Sequence, residues 1–473
     1  MPTLFSGLNL ALRALLSHQQ AIQVTEHNVA NAATPGYRRQ EAVLAAGPPY
    51  APPTLQRGTL AGQMGSGVVV ERVRRFSLEF FDGRYRREIA DTQRWEVERD
   101  ALRQVESTLG ETTGDGLLPK LDAFWAGWQA LSADPASTAL RADLRERARS
   151  LADALNRRAG ALNALRADQD LSLVQRVDEA NTLASQVARL NAEVMRVQSV
   201  GDQPNDLLDE RDRAMDRLAE LSGAVAYVEP SGAMLVSIEG HALVVGDTAL
   251  QLATSPNPAN GNLARIAWAD GQAFNAARGE IAGLLDARDR VIPDQLAGLN
   301  ATAYNLATRV NALHQAGFGP PPANATGLEF FTAFTTTDYA LEISVSANID
   351  NLANIATAAA ADSPGDGSAA LAIANVQSEL LMNGGTATLN QYYTGGVGTL
   401  GLEVKTATAA AADRQLVADA LSQQRESVSG VSLDEEATHL LQSQRAYEAA
   451  ARLMTAVDEM VDRVINGMGR VGL

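Results

Sequence analysis

The stretch "HNVANAATPGYRRQE", His27 to Glu41, follows a segment with the spacing of a helix, Leu4 to Thr25, and ends it. Asn28 and Asn31 can hydrogen-bond local backbone at the helix end, and Pro35 forbids continuation. Thr34, Pro35, Gly36 and Tyr37 form a turn sequence, so the chain leaves in a new direction. Upstream, Leu4, Leu8, Ala11, Leu15, Ile22 and Val29 alternate four and three apart, with His18 and Thr25 filling two seam positions. Leu12 and Leu16 widen the stripe. The pattern predicts one sticky face on a helix about 40 Å long. Nothing nearby in sequence is expected to cover it, because Ala45 to Gly58 is proline-rich and extended.

The other end of the chain mirrors this. From Leu433 the series Ala437, Leu440, Tyr447, Ala451, Met454, Val461, Ile465 and Met468 keeps the same spacing, interrupted by Gln444 and Asp458. The helix is expected to run to about Asn466 and stop at Gly467 and Gly469. Gly430 precedes its start. Ser432 is placed as N-cap with Glu435 as its capping-box partner, and Asp434 and Glu436 favour the positive helix end. Two uncovered stripes bury each other most simply, N-terminal helix on C-terminal helix; a stripe left over must find another molecule.

Between these ends, 85–110, 117–131, 137–166, 168–200 and 207–221 have helical patterns. Alternating apolar and polar residues from Gly223 to about Trp268 predict short antiparallel strands. Helix resumes near Gly279 and continues to His314 with a kink at Pro293. Tyr339 to Ala347 is expected as a strand and Ala369 to Leu381 as a helix, with helix again from Thr408 to about Val428. The expected fold is mainly α with β-rich insertions: terminal helices paired in a coiled coil, a discontinuous central helical bundle and a small antiparallel β domain. The expected domains are 1–60 with 430–473; 61–222 with 276–316 and 401–429; 223–275; and an outer mixed insertion at 317–400.

Composition removes several chemistries. The 473 residues contain no cysteine, which excludes disulfides, thiolate metal sites and cysteine nucleophiles. Aromatic residues make up 5%, which favours close helix packing through small side chains over a thick aromatic core. A net charge of -17 makes nucleic acid and anionic membrane surfaces poor partners. No run of about 18 apolar residues predicts a membrane span. The N-terminus has no basic region before an apolar block, so export is expected without a cleaved signal.

The candidate motifs also fail. The five histidines have no metal-ligand spacing, and Gly62, Gly65 and Gly67 match no phosphate loop. In "DLLDERDRAMDRLAE", Asp209, Glu210 and Asp212 interleave with Arg211, Arg213 and Arg217, as on a solvated, ion-paired helix face. Arg72, Arg74, Arg75, Arg84, Arg86 and Arg87 form one basic cluster, for which a neighbouring acidic subunit is the expected contact. No cofactor, metal or catalytic set is expected.

"NVANAATPGY", Asn28 to Tyr37, resembles the N-terminal signature of the rod, hook and hook-associated proteins of the bacterial flagellum. "GVSLDEEATHLLQSQRAYEAAARLMTAVDEMVDRVIN", Gly430 to Asn466, resembles the C-terminal signature of the hook-associated protein 1 branch, as do "PNDLLDERDRAMDRLAELSG" from Pro204 and "GEIAGLLDARD" at Gly279 to Asp289. The resemblance implies a non-enzymatic, extracellular adaptor that self-assembles into a ring between hook protein and hook-associated protein 3. It implies unfolded type III export, with a dedicated chaperone on the C-terminal helix. Signature and assembly residues would be Asn28, Asn31, Thr34, Pro35, Gly36, Tyr37, Gly430, Leu433, Leu440, Tyr447, Met454, Val461 and Ile465. The alternatives are a hook or rod subunit, or a cell-wall glycosidase; the last needs two close carboxylates facing a cleft.

Overall fold

The computed structural model describes residues 4–49, 65–111 and 116–467. Gly62, Met468, Gly469 and most of the proline-rich stretch lie outside the described residues. In chain order the elements are α1 (Leu4–Asn31), β1 (Gln40–Ala46), β2 (Val68–Arg75), α2 (Glu79–Leu109), α3 (Leu117–Ala133), α4 (Thr138–Ser199) and α5 (Asn205–Ser222). Strands β3 (Val225–Val228), β4 (Met234–Ile238), β5 (His241–Val245), β6 (Thr248–Ala249), β7 (Leu252–Asn257) and β8 (Leu263–Trp268) follow. Then come α6 (Gly279–Asp286), α7 (Ile292–Ala316), α8 (Tyr339–Glu342), α9 (Ser368–Asn375), α10 (Leu389–Ser429) and α11 (Leu433–Gly467). The chain is mainly α with small antiparallel sheets, as expected.

Several elements differ from expectation. The two helices expected between 137 and 200 are one continuous helix, α4, because no glycine or proline interrupts the chain between Gly160 and Gly201. Helix α10 begins at Leu389, well before Thr408, and runs through Gly395, Gly396, Gly398 and Gly401, whose presence had masked the helix. The expected kink at Pro293 is a π turn, Ala287–Val291, where the Ile292 N–H bonds the Ala287 carbonyl.

The chain forms two compact units. The first holds Met1–Ile89, Ala180–Gln251 and Leu416–Leu473. In it α1 and α11 run side by side. A β-carbon on Gly7 would lie 3.3 Å from Val457 Cγ2, and Asn28 bonds Glu436. The separations match, 28 − 7 = 457 − 436 = 21, in opposite order, so the pair is antiparallel. The seam on α11 differs from the expected one at every second position. Glu436, Ala450 and Val457 are buried and Ser443 is half-buried, whereas Ala437, Gln444, Asp458 and Ile465 are exposed. Small Ser443 and Ala450 let the helices approach closely, Glu436 is drawn in by Asn28 and Arg39, and the two apparent interruptions lie outside the seam. α1 is also covered on another side, contrary to expectation: the antiparallel β1–β2 pair packs on it, with Ser17 Oγ donating to the Val68 carbonyl (3.1 Å) and Arg13 to Ser66 Oγ (2.9 Å). Strands β3 to β6 form a four-stranded antiparallel meander. Asn191 of α4 pins it, donating to the carbonyls of Met234 (2.8 Å) and Gly246 (2.7 Å).

The second unit holds Ala90–Glu179 and Leu252–Gln415. Its core is richer in aromatics than the composition suggested: Phe124, Trp125, Trp128, Phe330 and Phe331 are all buried, with Phe124 and Trp125 centroids 4.9 Å apart. The few aromatics are concentrated at one place. The segment expected as a strand at Tyr339 to Ala347 forms the short α8, then a single bridge from Val345 to Phe331. Ala340 and Ile343, three apart, both point inward, which is helical spacing. The helix expected at 369–381 stops at Asn375 and tightens into a 3₁₀ turn, Val376–Ser378.

Side chains from distant helices hold this region. Arg141 is buried and donates to the carbonyls of Pro135 (2.8 Å), Leu352 (3.2 Å) and Ile355 (2.6 Å) and to Thr357 Oγ1 (3.0 Å). Asn156 Nδ2 donates to the Ala340 and Ile343 carbonyls (2.9 and 3.2 Å), and Asn311 Oδ1 accepts from Phe330 and Phe331 N–H (3.0 and 2.8 Å).

His314 completes this set. Its Nδ1 lies 2.7 Å from the Leu328 carbonyl and its Nε2 accepts the Ala356 N–H (3.0 Å), which requires the neutral ring. Burial pushes its pKa down to about 4, with Arg141 adding to the effect. The unfolded chain therefore binds the proton first as pH falls through about 6.5, and stability drops in that direction. Between pH 7 and pH 5 this group should remove about 2 kcal/mol. Urea midpoints across that window measure the loss, and His314→Gln, which does not titrate, should flatten it.

Candidate functional site

Helix α1 meets its turn, the first strand and α11 at one buried joint. The Tyr37 N–H donates to the Thr34 carbonyl (3.1 Å), closing a turn with Pro35 second and Gly36 third at φ 75°. That is a type II turn, whose third position favours glycine. A β-carbon on Gly36 would also lie 2.5 Å from Arg213 Cγ. Asn31 bonds locally, from its Nδ2 to the His27 carbonyl (3.0 Å), and accepts from Thr34 Oγ1 (3.2 Å).

Asn28 does something else. It is 1% exposed and bonds no local helix backbone, contrary to expectation. Its Nδ2 donates to the Gln40 carbonyl (2.8 Å) and to Glu436 Oε2 (2.9 Å). Its Oδ1 accepts the Gln40 N–H (2.9 Å) and the Tyr37 hydroxyl (2.8 Å). Burial, then Asp206, Asp209 and Glu436, push the Tyr37 pKa upward, so its hydroxyl stays a donor. One side chain thus joins α1, the strand after the turn and α11, across 408 residues of sequence.

The residues after the turn alternate sides as an extended chain must. Tyr37 and Arg39 face the helix pair. Arg39 Nε donates to Glu436 (2.8 Å) and its Nη1 to Glu435 (2.9 Å). Glu435 therefore serves Arg39, while Ser432 Oγ accepts the Glu435 N–H at a long 3.5 Å. Arg38 and Gln40 face α5. Gln40 Nε2 donates to Asp206 (3.1 Å) and its Oε1 accepts from Asn205 (3.1 Å).

Arg38 enters a buried ionic cluster. It grips Asp82 with two bonds (2.8 and 2.9 Å), lies 3.3 Å from Asp212, and its N–H donates to Asp209 (3.1 Å). Arg75 pairs with Asp209 (2.6 Å) and with Asp212. Arg86 pairs with Asp216 (2.6 Å) and Asp212 (3.1 Å). Arg425 of α10 adds Asp216 (2.9 Å) and Asp82 (3.5 Å). Burial would raise the Asp212 pKa, but Arg38, Arg86 and Arg75 together hold it far below the carboxylate range. Burial does raise Asp209, against Arg75 and Arg38.

Two expectations change here. Part of the α5 face is buried and not solvated: Asp209, paired with Arg75, is 4% exposed and Arg211 3%, while Arg213 stays exposed. Arg75 and Arg86 find their acidic partners inside the chain, not on a neighbour. Asp82 and Glu436 had no sequence signal beyond their charge. The alternation Tyr37-Arg38-Arg39-Gln40 was the available clue for the strand.

The remaining signature residues lie along α11 and just before it. Gly430 sits where a β-carbon would meet the Glu426 carbonyl oxygen at 2.5 Å. Leu440, Met454 and Val461 are half-buried; Leu433, Tyr447 and Ile465 are exposed. Continuing the antiparallel register puts Leu4 opposite Met460, so Val461 onward extends beyond the described part of α1. Among the described residues no three or more His, Asp or Glu side chains gather as metal ligands, and no helix is long and apolar enough to cross a membrane.

Comparison with known proteins fits this architecture. The flagellar hook-associated protein FlgK helical domain family matches residues 102–331, and the flagellar basal body rod FlgEFG protein C-terminal family matches 422–467. The latter helix is thus common to rod and hook-associated proteins, while the former separates this chain from hook and rod subunits. Flagellar hook-associated protein 1 of Bacillus subtilis is 30% identical over 99% of both chains, and that of Escherichia coli 25% over 98% of this chain and 99% of its own. The structure of the flagellar hook junction protein FlgK from Burkholderia pseudomallei superposes with a TM-score of 0.64 at 17% identity, covering 73% of this chain and all of that one, which shows the shared fold. On the full-length match to the Bacillus relative, the chain belongs to the flagellar hook-associated protein 1 family and is a structural subunit of the flagellar hook–filament junction.

Proposed function

We propose that the α1–α11 pair is the assembly element, and that it stands in the wall of a ring of like subunits between hook protein and hook-associated protein 3. The observation that carries this is a surplus of apolar surface on a pair whose inner seam is already filled. Leu16 on α1 is 56% exposed, and Leu433, Leu441, Leu453, Met460 and Ile465 on α11 are all more than 40% exposed. Isolated exposed leucines are ordinary, but five large apolar side chains left exposed on one helix are apolar surface that another protein can cover. The signature residues then divide. Asn28, Asn31, Thr34, Pro35, Gly36 and Tyr37 shape the joint within the chain. Gly430, Leu433, Leu440, Tyr447, Met454, Val461 and Ile465 place and present α11.

The same exposed side chains call for a cytoplasmic export chaperone on α11 before assembly, and a chain without cysteine suits unfolded export. The role is non-enzymatic and outside the cell. In the arginine-lined joint Arg38, Arg86 and Arg75 hold Asp212 ionised, which suits a fastening and not a general acid.

Replacing Leu453, Met460 and Ile465 together by serine tests the reading. The three are exposed, so the melting temperature should move by no more than about 2 °C. Swarming should fall to background and filaments should be shed into the medium. Normal swarming by this variant contradicts the assembly role.

A further inference from the structure

Within the first unit a cleft of about 420 Å³ opens beside the ionic cluster, lined by Arg38, Arg75, Arg86, Arg87 and Arg211, with Ser77 and Glu79 at its wall. The charges do not balance. Arg38, Arg75, Arg86 and Arg425 face Asp82, Asp209, Asp212 and Asp216, four against four. Arg211 is a fifth guanidinium, only 3% exposed, and no described carboxylate lies within ion-pair distance of it. Its Nη1 donates to Asn191 Oδ1 (3.0 Å) and the Gly232 carbonyl (2.7 Å), both neutral, and its Nε is buried without a partner. The buried Arg141 of the other unit is different, because its Nε and both terminal nitrogens donate to oxygens. Arg87, at the open side, donates its Nε to the Gly83 carbonyl (3.2 Å) and has no carboxylate partner among the described residues.

A guanidinium cannot shed its proton to escape this burial. Burial disfavours its charge, and Arg75 and Arg86 add to that against the more distant help of Asp212 and Glu79. In a chain of net charge -17, a buried cation with no described carboxylate at ion-pair distance beside an open cleft is out of keeping with the rest of the surface. We propose that this cleft is an oxyanion site, in which a carboxylate or phosphate group engages Arg211 and Arg87 with Ser77 as an additional donor. The occupant is a free anion or an acidic side chain of a second copy. The proposal stands on this cleft and is independent of how α11 assembles.

The full-length chain should be titrated calorimetrically with inorganic phosphate and with succinate, at ionic strength held constant with sodium chloride. Saturable binding is expected. Arg211→Gln should weaken it at least about ten-fold, Arg87→Gln about three-fold, and Glu79→Gln should strengthen it about two-fold. If Arg211→Gln does not fold, the opposite signs at Arg87 and Glu79 carry the test. Sedimentation separates the sources. Self-association reversed by phosphate and by Arg87→Gln assigns the site to an acidic side chain of a second copy, and unchanged sedimentation with phosphate bound assigns a free anion. Absence of saturable binding, or binding indifferent to both arginine and glutamate variants, overturns the proposal.

Discussion

Asp212→Asn is expected to destabilise the protein by about 3–5 kcal/mol, the range for breaking a buried ion pair by removing one partner. Asp212 is the carboxylate that three arginines share: Arg38 at 3.3 Å, Arg86 at 3.1 Å, and Arg75 in closer contact still. Asparagine keeps the shape and removes the charge, leaving the buried guanidinium groups facing one carboxylate fewer. The loss should appear as a lower urea midpoint at unchanged slope. The same geometry sets the pH response. The Asp212 pKa is lower folded than unfolded, so its contribution is present above the ordinary aspartate range and is lost only as pH falls through the depressed value. Mild acid should therefore weaken the His314 region of the second unit before it reaches Asp212. A variant as stable as the parent means the cluster is not a fastening.

Asn28→Ala should cost about 3 kcal/mol, because it strands several buried partners at once. The Gln40 N–H and carbonyl lose both their bonds to Asn28, and Glu436 Oε2 loses a donor in a site that leaves Glu436 2% exposed. Asn31→Ala, three residues on, removes only local bonds at the helix end and should cost less than about 1 kcal/mol. Urea titration of both variants gives the contrast. Hydrogen exchange locates it, since the Asn28 variant should lose protection at the Gln40 amide and in the first turns of α11. Equal costs for the two asparagines would return Asn28 to the role of an ordinary helix end.

The parts of the fold that follow from local spacing were legible in the sequence. Periodicity gave the two terminal helices, their pairing and the strand-rich stretch from Gly223, and the Pro35-Gly36 pair gave the turn at Thr34 to Tyr37. The seam register on α11 was misjudged because the most apolar residues were assumed to face α1. Glu436, Ser443, Ala450 and Val457 lie inward instead, and Leu433, Ala437, Tyr447 and Ile465, expected in the seam, are exposed. Residues 317–400 were illegible for another reason. Arg141, Asn156, Asn311 and His314 hold that region through bonds to its backbone, and such bonds leave no periodic trace in the segment they fasten. The joint was half visible. Asn28 stood out by its surroundings, but its partners Gln40 and Glu436 are fixed by the antiparallel pairing of helices more than 400 residues apart.

The central claim is that the exposed apolar side chains of α11 are bare in the single chain and covered in the flagellum. With no native cysteine, Leu453→Cys supplies the sole thiol, at a side 42% exposed in the chain. Maleimide labelling of this variant as free monomer and in intact flagella measures the claim directly. Rapid labelling of the monomer and protection of more than about ten-fold at the junction are expected; equal labelling of both would contradict the account.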